Sequence, residues 1–231
     1  MKLRIICLLV LLWFVCPVFA QDMAWKDMQQ LCTKYGRITD MHYKARLKMY
    51  SAKSPAQLID QLDAVCHLQK DHYYAKVGAV EILKTPQYLL TVDNDDKLVV
   101  VNSPVTKGDK MQNVLSDVGG LLEAMKVTGV RMQKVMRGNA TWLELSELPD
   151  TDMLACHIQY DPGTFLINTI WMRVIDPAQS ATEPVIVEIA YDYHVPAATA
   201  DQYNDKRYVR VSGRQVALQT AYKNYTLVNQ L

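Results

Sequence analysis

Hydrophobic positions along this 231-residue chain change their period several times, and each change marks an element. Ala24, Met28, Leu31 and Tyr35 recur at helical spacing, with Asp22 placed to cap the start and Gly36 to end it, which predicts a helix with one apolar stripe. The period then drops to two. Met41, Tyr43, Ala45, Leu47 and Met49 alternate with His42, Lys44, Arg46 and Lys48, the pattern of a strand with one wet and one buried face. Ser54-Pro55-Ala56-Gln57 reads as a short helical turn, because Ser caps, Pro suits the first helical position and Gln completes a capping box. From Leu62 the alternation returns through Ala64, Cys66 and Leu68.

Strands are expected at about 73–83, 87–93 and 97–102, the last two joined by the turn Asn94-Asp95-Asp96. Turns this short require antiparallel neighbours. A second helix is predicted over about 110–126, where Met111, Val114, Leu115, Val118, Leu121, Leu122 and Met125 share a face. Gly119-Gly120 weakens its middle by about 1 kcal/mol per glycine relative to alanine. Strands then follow at about 129–137, 141–146, 153–160, 164–175 and 185–194, around the turn sequences Gly138-Asn139 and Asp161-Pro162-Gly163. The polar stretch from Ala197 to Lys206 leads to a last strand near Tyr208 to Val211 and a tail from Tyr222 to Leu231.

The first twenty residues have a different character. Lys2 and Arg4 precede an apolar run from Ile5 to Val15, and Val18-Phe19-Ala20 stands before polar Gln21-Asp22, the three parts of a cleavable secretory signal. The run is shorter than the roughly 20 apolar residues of a membrane span. Bulky Trp13-Phe14-Val15 before Cys16 argue against a lipid on that cysteine. Cleavage before Gln21 leaves one domain, residues 21–231, without a transmembrane anchor, and places it in the periplasm or, as the alternative, outside the cell. It removes two of the 25 basic side chains and none of the 24 acidic ones, so the mature balance of −1 offers no long-range attraction for nucleic acid.

Cys32, Cys66 and Cys156 remain, too few for a disulfide-built scaffold. Strand parity turns Cys66 and Cys156 inward, as two separate buried thiols or as a bridge if their Cα atoms lie within about 7 Å. The near repetition Cys66-His67-Leu68-Gln69-Lys70-Asp71 and Cys156-His157-Ile158-Gln159-Tyr160-Asp161 suggests a metal site, but adjacent residues of a regular strand point to opposite faces. No metal or other cofactor is therefore expected. His42 and His72 are assigned to polar strand faces, and His194 to a strand end near Asp192. No Gly-x-Ser-x-Gly, phosphate-binding Gly loop or His-Glu-x-x-His occurs, so no catalytic residue is assigned. Asp93, Asp95 and Asp96 begin like a calcium loop but lack its Gly and distal Glu, and read as a solvated turn.

The order of helix, long alternating strand, antiparallel hairpins, amphipathic helix and further hairpins resembles the periplasmic lipoprotein-carrier family, the LolA/LppX-like half-barrels. The segments that carry the resemblance are Tyr74 to Leu83, Tyr88 to Val92, Lys97 to Val101, Asp161 to Ile167 and Val185 to Tyr191. It implies an α+β fold, an antiparallel half-open β-barrel with an N-terminal helix and a lid helix, and a tendency to bind lipid. The residues themselves supply pliable Met and amphipathic aromatics suited to an apolar wall. Met111, Leu115, Val118, Leu122 and Met125 are the expected lid face, and Met132, Trp142, Trp171 and Tyr191 the expected lining. The expected partner is an acyl chain or lipidated polypeptide. A filled core whose surface binds another envelope protein is the alternative, and a non-enzymatic role is expected in both cases.

Overall fold

The structure, a computed structural model, describes residues 23–103, 130–148, 152–175 and 183–231. The expected N-terminal helix, α1, occupies residues 23–37. Its stripe is buried as the spacing predicts, with Ala24, Met28, Leu31 and Tyr35 each at most 6% exposed. Gly36 lies inside the last turn and takes no left-handed conformation, so it does not end the helix as expected. The expected helix over 110–126, with Met111, Leu115, Val118, Leu122 and Met125, lies outside the described residues, as does the segment 1–20.

Six strands follow α1: β1 (Asp40–Ser51), β2 (Leu58–Gln69), β3 (His72–Val77), β4 (Val80–Lys84), β5 (Leu89–Asp93) and β6 (Leu98–Asn102). Eight more follow among the described residues: β7 (Arg131–Arg137), β8 (Ala140–Ser146), β9 (Met153–Tyr160), β10 (Ile167–Ile175), β11 (Pro184–Asp192), β12 (Val209–Ser212), β13 (Gln215–Leu218) and β14 (Thr226–Gln230). Twelve of them form a mostly antiparallel sheet in the order β14-β6-β5-β4-β3-β2-β1-β11-β10-β9-β8-β7, and β12 pairs with β13. The sheet ends at β14 and β7, so it is not closed into a barrel.

Three local readings are corrected. The strand expected over 73–83 is a hairpin, in which Val77 pairs with Val80 and Gly78 takes φ +56°. A two-residue loop needs such a conformation at little steric cost, and the apolar residues on both sides of Gly78 conceal the turn. Ser54 to Gln57 makes only a turn, closed by Gln57 N–H donating to Ser54 O at 2.8 Å. The C-terminal tail is a strand: β14 pairs in parallel with β6, Thr226 opposite Leu98 through Gln230 opposite Asn102.

The chain divides into two compact units. The first takes the described residues of Met1–Arg37, Met49–Ile59 and Val118–Ile189. In it, cross-strand register aligns Met132, Leu145, Cys156 and Met172 in one row and Lys134, Leu143, Ile158 and Ile170 in the next. Helix α1 covers this face. Asp27 pairs with Lys134 at 2.7 Å and accepts from the Tyr160 hydroxyl, and the Ile167 N–H donates to the Tyr35 hydroxyl at 2.8 Å. The second unit takes the described residues of Ile38–Lys48, Asp60–Asp117 and Ala190–Leu231. Its core joins Tyr74, Leu83, Leu90, Val92, Val99 and Val101 to Tyr208 and Val209 of the C-terminal segment.

Cys66 and Cys156 are buried as their parity predicts, and neither they nor Cys32 form a disulfide. Burial pushes the Cys156 thiol up to about 12 and the Cys66 thiol upward as well, which starves both of the reactive thiolate. Labelling the unfolded, unreduced protein is expected to modify Cys32, Cys66 and Cys156 alike, whereas in the native state Cys66 and Cys156 react slowly. Protection of any of the three after unfolding would show a bridge.

Candidate functional site

Glu81 is an acid in the middle of the apolar run Val80 to Leu83, and the second unit is organised around it. Its carboxylate accepts from the Tyr208 hydroxyl at 2.6 Å, the Tyr74 hydroxyl at 3.0 Å and Arg207 Nη2 at 3.1 Å. Asn94 Nδ2 approaches the second oxygen at 3.4 Å. The Arg207 guanidinium lies over the rings of Tyr208 and Tyr74, 4.5 and 5.6 Å from their centroids. Burial pushes the Glu81 carboxyl up, but the hydrogen bonds from Tyr208 and Tyr74 and the charge of Arg207 outweigh it and hold the group below the usual carboxylate range.

This anchor fixes the short 3-10 turn Asp205–Arg207, capped by Asn204, whose side chain accepts from the Lys206 N–H. The Tyr88 hydroxyl donates to Asp205, which ties the turn to the start of β5. Gln219 holds the β12–β13 hairpin in place by donating to Lys206 O at 2.7 Å. Between the turn, the hairpin and the ends of β5 and β6 opens a cleft of about 710 Å³. Tyr88, Val209, Val211 and Leu231 give it apolar walls, with Asp205, Lys206 and Arg210 at its charged rim. Its volume falls within the roughly 300–1,000 Å³ of small-molecule sites. A cleft with greasy walls and a cationic edge suits an amphipathic guest.

A second polar cluster lies between β1, β2 and the segment before the 3-10 turn. His67 is 3% exposed, its Nδ1 3.1 Å from His42 Nδ1 and its Nε2 3.3 Å from Gln202 Nε2. His42 Nε2 stands 3.1 Å from Asp40. The assignment of His42 to a solvated face is thus corrected, because its side chain is 16% exposed, with its ring 5.1 Å from that of buried His67. No group of three or more metal-ligating side chains gathers among the described residues. Asp93 accepts from the N–H groups of Asp95 and Asp96 at 3.0 Å, as a solvated turn requires.

The predicted lining residues do not share one wall. Met132, 1% exposed, lies on the face under α1, whereas register puts Trp142 and Trp171 on the opposite face with Glu144 and His157. There Trp171 stacks on His157 at 4.7 Å and Arg137 lies over Trp142 at 5.4 Å. Tyr191 belongs to the second unit, in a ring cluster with Tyr43 and Tyr193. The sequence reading missed the cleft residues and Arg207. The legible signal was Glu81, an acid at a position whose neighbours are all apolar, which demands a buried partner.

A scan against protein-family models finds no match, and a search of curated proteins finds none. Among solved structures, the chain is similar to an uncharacterized conserved protein from Thermus thermophilus, at 10% identity and TM-score 0.42 over 78% of this chain and 93% of that one. A DUF1329 family protein from Desulfovibrio piger matches at 11% identity and TM-score 0.38, covering 81% of this chain and 98% of the other. A LolA superfamily protein from Nitrosomonas europaea matches at 10% identity and TM-score 0.32, covering 77% and 97%.

Proposed function

We propose that this chain is an exported, non-enzymatic envelope protein that shelters an acyl chain or a lipidated polypeptide. The observation that carries the reading is the cleft of the second unit, whose walls Tyr88, Val209, Val211 and Leu231 offer apolar surface beside the cations Lys206 and Arg210. An acyl chain gains about 0.8 kcal/mol per buried CH₂, so even a partly enclosed site holds one usefully. Residues 1–20, read as a cleavable signal, support export to the periplasm, with the cell exterior as the alternative. No helix among the described residues is long and apolar enough to cross a membrane. The lipid-binding expectation attached to the LolA/LppX-like layout points the same way.

The test is titration of the folded protein with an environment-sensitive fatty-acid probe, together with mass spectrometry of ligands that co-purify from the native host. Val211→Glu puts a charge against the apolar wall and is expected to weaken the probe at least tenfold while leaving the fold intact by circular dichroism. Absence of probe binding by the folded protein, with no co-purifying lipid, sinks the carrier reading.

One observation favours the second reading, a protein-interaction module. Leu58 and Leu62, on one face of the first half of β2, are 48 and 41% exposed, and large apolar side chains side by side at a surface mark contact sites. If the probe fails to bind and Leu62→Asp abolishes capture of an envelope protein, the module reading replaces the carrier.

A further inference from the structure

The polar chain through His42 and His67 has a single possible direction, because both of its ends are fixed. At one end Asp40 presents a carboxylate, which only accepts, so His42 Nε2 carries the proton that bridges the 3.1 Å gap. At the other end Gln202 Oε1 accepts from the Thr199 N–H at 2.8 Å, which turns the amide so that its NH₂ faces His67 Nε2 at 3.3 Å. That nitrogen must accept. A neutral His67 therefore holds its proton on Nδ1 and donates to the bare Nδ1 of His42 across 3.1 Å. Gln202, His67, His42 and Asp40 form one relay of donors with both imidazoles neutral and of opposite tautomer.

A further proton has no place in this relay. On His67 Nε2 it meets the NH₂ of Gln202, donor against donor. On His42 Nδ1 it drives the His67 proton from Nδ1 to Nε2, with the same collision. The amide cannot rotate to offer its oxygen, because that oxygen holds the Thr199 N–H within the turn that Gln202 N–H closes onto Thr199 O at 3.0 Å. One proton on either ring thus breaks the same contact.

We propose that His42 and His67 are a proton-operated latch that holds the turn Thr199 to Gln202 against β1 and β2 while both rings are neutral and releases it when either is protonated. The other groups facing the pair are consistent with this direction. Tyr74 stacks beside His67 at 6.1 Å with the Arg207 cation on its ring, which opposes a positive charge on His67, and Asp40 faces His42 Nε2 at 3.1 Å with Tyr203 also within its electrostatic reach. Tyr203, next to Gln202, meets His72 of β3 edge-on at 6.0 Å, so release of the turn also frees this contact. Burial, and then the proximity of His42, hold the His67 imidazole below its usual value. Folding therefore favours the neutral ring. The stability this contributes is complete above the ordinary histidine value of about 6.5 and is lost as pH falls from there through the lowered folded value.

The test is hydrogen exchange of the full chain between pH 8 and pH 5, read as protection factors for residues 199–204 with β5 and β6 as the internal control. Protection of the turn is expected to fall, by up to about tenfold per pH unit, as pH drops from the ordinary histidine value through the lowered folded His67 value, and to level off below it, while the control strands stay protected. Nitrogen-15 spectra at pH 8 should show His67 protonated at Nδ1 and His42 at Nε2. In Gln202→Glu the new carboxylate accepts from a protonated His67, so protection should rise rather than fall on acidification. Identical tautomers at pH 8, or a turn equally protected at pH 8 and pH 5 while the rings titrate, would overturn the latch. The wild-type measurements decide it even if Gln202→Glu does not fold.

Discussion

Glu81→Ala is expected to cost about 3–5 kcal/mol, the range for removing one partner of a buried ion pair. The carboxylate is 15% exposed and holds together Tyr74 on β3, Tyr208 and Arg207 of the C-terminal segment and Asn94 of the β5–β6 turn. Alanine strands the Arg207 cation, 27% exposed, between two tyrosine rings with, among the described residues, only Asp201 at 3.7 Å as a remaining anion. The C-terminal segment then loses its anchor to the sheet, and with it the cleft beside the 3-10 turn. Glu81→Gln keeps shape and one acceptor, so its cost is expected to be smaller, while Glu81→Ala with Arg207→Leu should recover part of the loss. Urea unfolding of the three variants measures this, and a single-mutant cost under about 1 kcal/mol would show that the anchor contributes little. The lowered folded value of Glu81 sets the sign of the pH effect. Its contribution is present above the ordinary glutamate range and is lost as pH falls through the folded value, a lower window than that of His67.

Leu31→Ala is expected to cost about 2–5 kcal/mol, the range for truncating a buried leucine, because the sheet beneath α1 is too well filled to collapse into the space. Leu31 is 1% exposed and lies one turn from Met28 and Tyr35, with Leu143 and Leu145 of the covered face at 0%. Gln30→Ala, on the exposed side of the same helix, should stay within about 0.5 kcal/mol. Thermal unfolding followed by circular dichroism compares them, and equal costs for the two substitutions would mean that α1 is not packed on the sheet. Asp27→Asn separates the polar part of this interface from the apolar part, since it weakens the pair with Lys134 and leaves the leucine contacts in place.

Local chemistry determined a good deal by itself. The stripe Ala24, Met28, Leu31 and Tyr35 is enough to make an amphipathic helix, because one face of apolar side chains has only one way out of water. The hairpin turns at Asn94-Asp95-Asp96, Gly138-Asn139 and Asp161-Pro162-Gly163 are written in residues that supply their dihedral angles or their own hydrogen bonds. The alternation within β9 was enough to turn Cys156, Ile158 and Tyr160 inward. Tertiary structure decided everything that depends on which distant strand comes to lie alongside. The parallel pairing of β14 with β6 closes a loop of more than a hundred residues, and no local period encodes it. Register, and not composition, separates Met132 from Trp142 and Trp171, since a step of one residue along a strand changes the face. The same holds for the polar groups. His42 and His67 read as ordinary strand positions, and only β1, β2 and the turn at Gln202 together put their nitrogens 3.1 Å apart in a place that leaves each proton one position. A buried polar group is defined by its partner, and a partner 25 or 135 residues away is a property of the fold.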